Sequence, residues 1–257
     1  MTHPLNISDF PVFDSHFHII DPRFQLIENA GYLPSQFTTR DYMSCLSKYK
    51  LTGGAVISGS FQGFDQSYLI EALRDLGPNY VGVTQLPASA TDQQISKLKE
   101  QGIRAVRFNL KRGGSETIDQ IQSVAYRVHT IADWHIELYV DAHELDNLSQ
   151  LLCELPAVSI DHLGLSKAGL PVLKKLVANG VYVKATGFSR LDFDPVQAIK
   201  DLNDINPDAV MFGTDLPSTR APVPYSNLDL SLLLEAFDAK TIKKLLETNA
   251  REFYKLQ

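Results

Sequence analysis

Short runs rich in valine, isoleucine, phenylalanine and tyrosine alternate along this chain with segments whose apolar residues recur at helical spacing. The runs predict strands at residues 12–16, 54–61, 80–86, 103–110, 135–142, 158–164, 181–187 and 210–216. The clearest helical patterns cover residues 91–99, 117–131, 146–155, 171–178, 195–205, 228–237 and 241–254. Strands that alternate with helices lie parallel and are joined by right-handed crossovers. Eight such units close on themselves, so the alternation predicts an α/β fold, a (β/α)₈ TIM barrel forming a single domain over residues 1–257.

An open, doubly wound sheet is the alternative arrangement of alternating strands and helices. That fold normally begins with a glycine-rich phosphate-binding turn after its first strand, and the sequence after the first predicted strand has no such turn. The chain also lacks an internal repeat and a low-complexity linker, which favours one domain. Residues 19–37 form a long predicted loop, and a loop of this length is either functional or a simple cover over the barrel.

Composition excludes several classes of function. The net charge is −6, and no basic run is longer than two residues, as at Lys111-Arg112, which argues against a nucleic-acid partner. No apolar stretch approaches the roughly 18 residues of a membrane span, and the first residues lack the basic and apolar regions of a signal peptide. Cys45 and Cys153 have no metal-binding or disulfide spacing, so a reduced, cytoplasmic protein without a membrane partner is predicted.

Polar residues at the predicted strand ends indicate one site. His16 and His18 are two positions apart, so they lie on the same face of the first strand, at its C-terminal end. His162 follows the core of the sixth strand, and Asp215 lies near the end of the eighth. Active sites of (β/α)₈ barrels form where the strands end. These four residues are therefore the predicted catalytic set.

Strand periodicity identifies further side chains inside the barrel. On the fourth strand Val106, Phe108 and Leu110 share the helix-facing side, so Arg107 and Asn109 point inward. Strands two, five and seven, with the turn after strand seven, contribute Ser58 or Ser60, Glu137, Tyr139, Asp141, Lys184, Thr186 and Arg190. Charged groups are costly to bury unless they are paired or functional. Their convergence on one mouth predicts a binding site.

Other polar residues favour structural roles. Glu137 and Lys184 lie deeper than the rest and are expected to pair with each other. Asp14 is expected to bond the backbone near the histidines. Three further histidines are predicted to lie on the surface or on helices without a chemical role: His3, His129 and His135.

Four motifs resemble the amidohydrolase superfamily, specifically its amidohydrolase-2 group. They are F-D-S-H-F-H at 13–18, I-D-H-L-G at 160–164, F-G-T-D at 212–215 and T-N-A-R-E-F-Y at 248–254. The segments R-A-V-R-F-N at 104–109 and V-K-A-T-G-F-S-R at 183–190 are similar to the branch of 2-pyrone-4,6-dicarboxylate lactonases and sugar-acid lactonases. Together the motifs span almost the whole chain.

The resemblance implies a hydrolase that opens a small carboxylated lactone by attack of water on the carbonyl. Asp215 is then the general base, and the three site histidines surround the carbonyl. Such chemistry needs a base and groups that stabilise the developing oxyanion, and arginine forks match substrate carboxylates. The predicted substrate-binding residues are Arg107, Arg112, Tyr139, Arg190 and, at the end of strand two, Ser58. Family members often carry tryptophan after the aspartate of strand eight, whereas this chain has Leu216, so the packing beside the base is expected to differ.

The same histidines and aspartate are also typical of a mononuclear zinc site. The ligands would be His16, His18 and Asp215, with His162 or Asp141. Metal-dependent relatives usually carry another histidine at the end of strand five, where this chain has Tyr139-Val140-Asp141, and Arg107 or Asn109 replaces the bridging ligand of binuclear members. The resemblance therefore favours catalysis without a cofactor, with one Zn²⁺ or other divalent metal as the alternative.

Three functional hypotheses follow. The leading one is a lactonase whose partner is a small anionic substrate. The alternative is a mononuclear zinc-dependent amidohydrolase or decarboxylase of the same superfamily. A non-catalytic binding barrel is disfavoured because all four catalytic residues are present. The sequence allows either a monomer or a small homo-oligomer.

Overall fold

The computed structural model describes residues 5–256, and its centre is one sheet of eight parallel strands. The strands are β1 Pro11–Phe17, β2 Lys50–Ile57, β3 Tyr80–Thr84, β4 Ile103–Asn109, β5 His135–Tyr139, β6 Val158–Ile160, β7 Tyr182–Ala185 and β8 Val210–Phe212. Each strand pairs in parallel with the next one along the chain.

The chain just beyond β8 closes the sheet against β1. The Asp215 N–H donates to the carbonyl of His16 at 2.7 Å, and the His18 N–H donates to the carbonyl of Leu216 at 2.7 Å. These two bonds join the first strand to the segment that follows the last strand. The predicted (β/α)₈ barrel is therefore confirmed, and its first and last strands meet beside the predicted catalytic residues.

Helices fill the connections between the strands and continue after β8. They are α1 Thr39–Cys45, α2 Ser67–Leu76, α3 Asp92–Glu100, α4 Ile121–Ala132, α5 Ser149–Glu154, α6 Leu170–Ala178, α7 Pro195–Ile205, α8 Asn227–Ala236, α9 Ala239–Lys243 and α10 Asn249–Phe253. A π-helical turn, Lys244–Thr248, joins α9 to α10, so the predicted helix 241–254 forms in three consecutive pieces. Among the described residues no helix is both long and apolar enough to span a bilayer.

Strand boundaries differ from the predictions in two ways. Strands β2 to β8 all end earlier than predicted. After β6 and β8 the chain turns, because His162 and Asp215 have φ of 51° and 60°, outside the extended region. Strand β2 begins at Lys50, before the predicted start. Gly53 and Gly54, which suggested a strand boundary, lie inside β2. Gly53 is needed there because a Cβ at this position would lie 2.1 Å from the Asn79 carbonyl oxygen.

Two apolar layers stabilise the barrel. The larger one lies between strands and helices and includes Val106 and Phe108, as the strand-four pattern predicts. The smaller one fills the lower half of the barrel with side chains from the strands and from α10, including Phe13, Met211 and Tyr254. Above this plug lie the C-terminal strand ends, where the predicted catalytic residues are found.

Candidate active site

Five buried side chains meet above the plug, and we name them the upper cluster: His16, His18, Asp161, His162 and Asp215. The His16 ring lies 4.9 Å from the His162 ring and 5.2 Å from the His18 ring. Asp215 Oδ1 lies 3.8 Å from His16 Nε2 and 3.6 Å from His18 Nε2. Asp161 Oδ1 lies 3.4 Å from His16 Nδ1. The structure thus brings the four predicted catalytic side chains together and adds Asp161.

Contacts between Asp14 on β1 and the chain just after β8 fix the position of Asp215. The carboxylate of Asp14 accepts hydrogen bonds from the N–H of Thr214 at 2.8 Å, from its hydroxyl at 2.6 Å and from the N–H of His16 at 3.2 Å. A Cβ on Gly213 would lie 2.7 Å from the backbone nitrogen of His16, so only glycine permits this approach. Asp14 therefore has the backbone-bonding role that its place before the histidines predicted.

Arg190 lies in the 3₁₀ turn Phe188–Arg190 after β7 and binds one oxygen of Asp215. Its Nε and Nη2 donate to Asp215 Oδ2 at 3.0 and 2.7 Å, and Nη2 also donates to the carbonyl of Thr219 at 2.8 Å. The other oxygen, Oδ1, has no hydrogen-bond partner among the described residues. Arg190 thus orients the carboxylate and leaves one of its oxygens free for chemistry.

Arg107 on β4 has a comparable contact with Asp161. Its Nε and Nη2 donate to Asp161 Oδ2 at 3.1 and 2.8 Å, and its Nη1 donates to the carbonyl of Ser58 at 2.8 Å. Its guanidinium lies 5.2 Å from the centre of the Tyr139 ring.

The side chain of Ser58 points away from the inner cavity described below. Its hydroxyl lies 2.6 Å from that of Tyr68, and Ser58 does not line that cavity. The structure therefore places the Ser58 side chain away from this cavity, and its substrate-binding role stays a prediction.

A small inner cavity opens above the upper cluster, and its lining includes His18, Ser60, Asn109, Tyr139, His162 and Asp215. Its volume is about 30 Å³, more than the roughly 10–15 Å³ that one water molecule needs. A wider outer basin of about 310 Å³ adjoins it, bordered by Arg112, Tyr139, Asp141, Arg190, Asp192 and Arg220. Ser60, the other serine considered on strand two, lines the inner cavity in place of Ser58.

Two predicted site residues lie at the rim rather than inside. Arg112 is exposed, in the loop after β4, and borders both the inner cavity and the outer basin. Asp141 begins a 3₁₀ turn after β5 and accepts hydrogen bonds from the hydroxyl of Ser166 at 2.6 Å and the N–H of His143 at 3.1 Å. Because β5 ends at Tyr139, the strand alternation that placed Asp141 inside the barrel does not reach it.

A second group of polar residues lies deeper in the barrel, and we name it the lower cluster: His135, Glu137, Lys184 and Tyr254. Glu137 accepts a hydrogen bond from the Tyr254 hydroxyl at 2.6 Å, contacts His135 Nε2 at 3.0 Å and forms an ion pair with Lys184. The predicted pairing of Glu137 with Lys184 is confirmed. His135 is not a surface histidine as predicted, because it points inward from the first residue of β5.

The other two histidines predicted to be inert have different outcomes. His129 is partly exposed on α4, with Nδ1 3.5 Å from Asp133 Oδ1, as expected for a surface histidine. His3 lies outside the described residues.

Burial and neighbouring charges set the protonation of the upper cluster. Burial lowers the pKa of His16 to about 4 and that of His162 well below its usual value. Burial alone would raise the pKa of both aspartates. The Arg190 guanidinium nevertheless holds the pKa of Asp215 well below its usual range, and His16 with Arg107 does the same for Asp161. At neutral pH the cluster therefore holds two carboxylates and at least two neutral imidazoles.

The donor set of the upper cluster fits one divalent cation. One ligand atom each from His16, His18 and Asp215 lie within 4.8 Å of one another, and all three residues are buried. His18 Nδ1 lies 2.7 Å from the carbonyl of Ile57, so in the neutral ring Nδ1 carries the hydrogen and Nε2 keeps its lone pair. His162 groups instead with His16 and Asp161, and Asp141 belongs to neither group.

Two further residues border the site, although strand periodicity did not predict them. Arg220 follows β8 in an irregular loop and lines both the inner cavity and the outer basin. Asn29, in the long loop after β1, contacts Arg220. Neither has a periodic context, so only the path of the loops brings them to the mouth.

Comparison with known proteins shows which family this chain belongs to. The model of the amidohydrolase family matches residues 13–256, almost the full length of the barrel. The chain belongs to the amidohydrolase family. The superfamily predicted from the motifs is therefore confirmed.

Relatives of this amidohydrolase are named as lactone hydrolases. The 4-sulfomuconolactone hydrolase of Rhizobium radiobacter is 26% identical over 227 residues, which cover 80% of this chain and 75% of that protein. The 2-pyrone-4,6-dicarboxylate hydrolase of Comamonas testosteroni is 26% identical over 156 residues, 59% of this chain and 51% of that protein.

Among solved structures, one from Acinetobacter baumannii, named a probable 2-pyrone-4,6-dicarboxylic acid hydrolase and crystallised with citric acid, superimposes with a TM-score of 0.81. It is 23% identical to this amidohydrolase, and the match covers 95% of this chain and 99% of that one. At this identity the likeness supports the barrel fold alone.

Proposed function

We propose that this amidohydrolase opens a small lactone that carries an acidic group, and that water is the nucleophile. The observation that carries this proposal is the asymmetry of Asp215. Arg190 binds its Oδ2, while its Oδ1 has no protein hydrogen-bond partner and lies 3.6–3.8 Å from two imidazole nitrogens at the inner cavity. An ionised carboxylate oxygen held in this way can take a proton from water.

The reaction follows from these positions. A water molecule beside Asp215 Oδ1 loses a proton to that oxygen while its own oxygen bonds to the lactone carbonyl carbon. The ring C–O bond then breaks, and the proton on Asp215 passes to the leaving oxygen or to solvent. His18 Nε2 can accept the second hydrogen of the same water, which directs the oxygen lone pair towards the carbonyl.

Cationic groups at the mouth suit an anionic substrate. Arg107, Arg112, Arg190 and Arg220 all border the inner cavity, and guanidinium groups bind carboxylates through paired hydrogen bonds. A substrate carboxylate that engages Arg190 competes with Asp215 for the same donors. That competition weakens the ion pair and makes Asp215 a stronger base as the substrate arrives.

The names of the relatives support this substrate class. The Rhizobium radiobacter and Comamonas testosteroni proteins are named for lactone substrates that bear sulfonate or carboxylate groups. We therefore propose an acidic lactone of the sulfomuconolactone or pyrone-dicarboxylate type, with the sugar-acid lactones as further members of the panel to be tested.

The second candidate is a mononuclear zinc-dependent amidohydrolase or decarboxylase, favoured by the three donor atoms described above. His16, His18 and Asp215 would hold the cation, which would supply Lewis-acid polarisation and a more acidic water. Against this candidate, Arg190 already neutralises Asp215, and Arg107 already neutralises Asp161. A second positive charge beside those guanidiniums is less favourable, so we propose that catalysis needs no metal.

The deciding experiment is a lactone screen followed by proton release. It should include acidic and neutral lactones of the same ring size, with the wild-type protein, Asp215→Asn and an exposed control, Asp204→Asn. We expect turnover of acidic lactones by the wild type and the control only. Hydrolysis of neutral lactones at equal rates would remove the acidic substrate class, and the absence of any hydrolysis would remove the lactonase assignment.

A further inference from the structure

Arg220 differs from the two inner arginines in its partners. Arg107 and Arg190 each bind a carboxylate of the upper cluster. Among the residues that the structure describes, Arg220 donates from Nη2 alone, to the carbonyl and the side-chain Oδ1 of Asn29, the latter at 3.1 Å. Its guanidinium lies 4.4 Å from the centre of the Tyr32 ring. Within residues 5–256 no carboxylate lies in ion-pair range of Arg220. Its Nη1 and Nε are therefore available to an external anion.

The position of Arg220 is fixed from both sides. On its inner side, the carbonyl of the preceding residue, Thr219, accepts a hydrogen bond from Arg190 at 2.8 Å. On its outer side, Asn29 holds the guanidinium and also donates from Nδ2 to the carbonyl of Arg112 at 3.0 Å. One asparagine thus ties together two loops that carry rim arginines, and the guanidinium borders both the inner cavity and the outer basin.

We propose that Arg220, positioned by Asn29 and Tyr32, forms an outer anion subsite that selects substrates with a second acidic group away from the reacting carbonyl. This inference rests on the proposed function and narrows its substrate class to dianions. The shared chemistry of the second group is an oxyanion, either carboxylate or sulfonate. A preorganised guanidinium without a protein counter-ion binds such a group with little loss of conformational entropy.

The test measures binding of two matched probes to the full chain by calorimetry: isophthalate, with two carboxylates on a six-membered ring, and benzoate, with one. We expect the wild type to bind isophthalate more tightly. Arg220→Met should weaken isophthalate about ten- to hundred-fold, as expected for one charge-assisted hydrogen bond, and leave benzoate unchanged. Arg23→Met, an exposed arginine of the same loop as Asn29, is the matched control and should change neither.

Asn29→Ala separates positioning from simple loop stability. It should raise KM for an acidic lactone without changing kcat or the melting temperature, whereas a purely structural role would lower the melting temperature as well. Equal losses for both probes in Arg220→Met, or isophthalate binding no tighter than benzoate in the wild type, would overturn the subsite. If the probes behave as expected but no lactone is hydrolysed, the subsite stands and the proposed function fails.

Discussion

The two polar clusters inside the barrel differ in how their atoms are partnered. In the lower cluster, Glu137 receives contacts from His135, Lys184 and Tyr254, and none of the four residues has a buried side-chain polar atom without a hydrogen-bond partner among those described. The upper cluster contains five such atoms: both ring nitrogens of His16, Nδ1 of His162, Oδ1 of Asp161 and Oδ1 of Asp215.

This difference distinguishes polar side chains that are buried for stability from polar side chains that are buried for a chemical role. A buried polar group without a partner costs about 1–3 kcal/mol, so a chain retains several in one place only where something else uses them. The lower cluster is complete and links the C-terminal helix to β5 and β7. Under the proposed function, substrate and water would supply the partners of the five upper-cluster atoms. Lys184 Nζ, 3.8 Å from Asp161 Oδ1, is the contact between the two.

The strongest test of this contrast is Asp215→Asn in the upper cluster. The amide still accepts a hydrogen bond from Arg190 but cannot take a proton from water, so kcat should fall by about 10²–10⁴-fold while the fold is retained. Steady-state kinetics and circular dichroism measure both. A variant that kept more than about a tenth of the wild-type kcat would not fit a loss of this size and would remove Asp215 as the base.

Glu137→Gln in the lower cluster should have the opposite result. Neutralising Glu137 leaves the buried Lys184 with only its 3.8 Å contact to Asp161, which already pairs with Arg107, so the free energy of unfolding should fall by about 3–5 kcal/mol. Urea unfolding measures the loss, and kcat per folded molecule should stay close to the wild type. The double variant Glu137→Leu with Lys184→Met should recover much of the stability. A large drop in kcat without a stability change would reverse the assignment of the two clusters.

The pH dependence of stability provides an independent check on Glu137. Burial opposes ionisation, but Lys184 and His135 together hold the pKa of Glu137 below its ordinary value of 4.5. A carboxylate with a depressed pKa in the folded state stabilises the protein above its unfolded pKa, and this contribution is lost as the pH falls below that value. The stability gap between wild type and Glu137→Gln should therefore narrow as the pH falls from about 4.5 to about 2. A constant gap would show that the pair does not titrate as described.

Arg107→Met and Arg190→Met should show smaller losses that depend on the substrate. Each should lower kcat/KM for an acidic lactone by an amount equivalent to about 1.5–3 kcal/mol of activation free energy. The loss for a neutral lactone should be smaller, because it reflects only the poorer orientation of Asp161 or Asp215. Arginine-to-lysine changes should not restore activity, because the planar fork is lost. Arg23→Met serves as the exposed control. Equal losses on acidic and neutral lactones would mean that both arginines are structural.

The smallest expected effect is that of metal removal. Because Arg190 already occupies Asp215, we expect the chelator-treated protein to keep its full kcat and its melting temperature. Elemental analysis before and after treatment provides the control. One tightly bound zinc per chain, with activity lost on removal and restored on addition, would establish the zinc-dependent alternative instead.

The fold and most of the upper cluster could be predicted from the sequence because strand periodicity determines which way a side chain points. This holds for Arg107 and Asn109 on β4, and for His16 near the end of β1. It fails where a strand ends early, as at Asp141, which caps the following turn. It also fails for Ser58, whose hydroxyl lies against Tyr68 even though its backbone carbonyl contacts Arg107.

Other features depend on long-range contacts that no local pattern encodes. Arg220 and Asn29 are 191 positions apart and meet only because two irregular loops cross the same mouth. His135 looked like a surface histidine because it borders a helix in the sequence. Its burial depends on α10, whose Phe253 and Tyr254 rings lie 4.1 and 5.1 Å from the imidazole.

The seam of the barrel, where the chain after β8 meets β1, affects how the protein acquires activity during folding. The contact between Asp14 and Thr214 joins residues 200 positions apart, and the same contact aligns His16 with Asp215. Closing such a long stretch of chain is entropically costly and slow compared with forming a helix. During refolding from urea, we expect the helical circular dichroism signal to return first and catalytic turnover to return only when the seam closes. Enzyme activity would then act as a clock for the final step of folding.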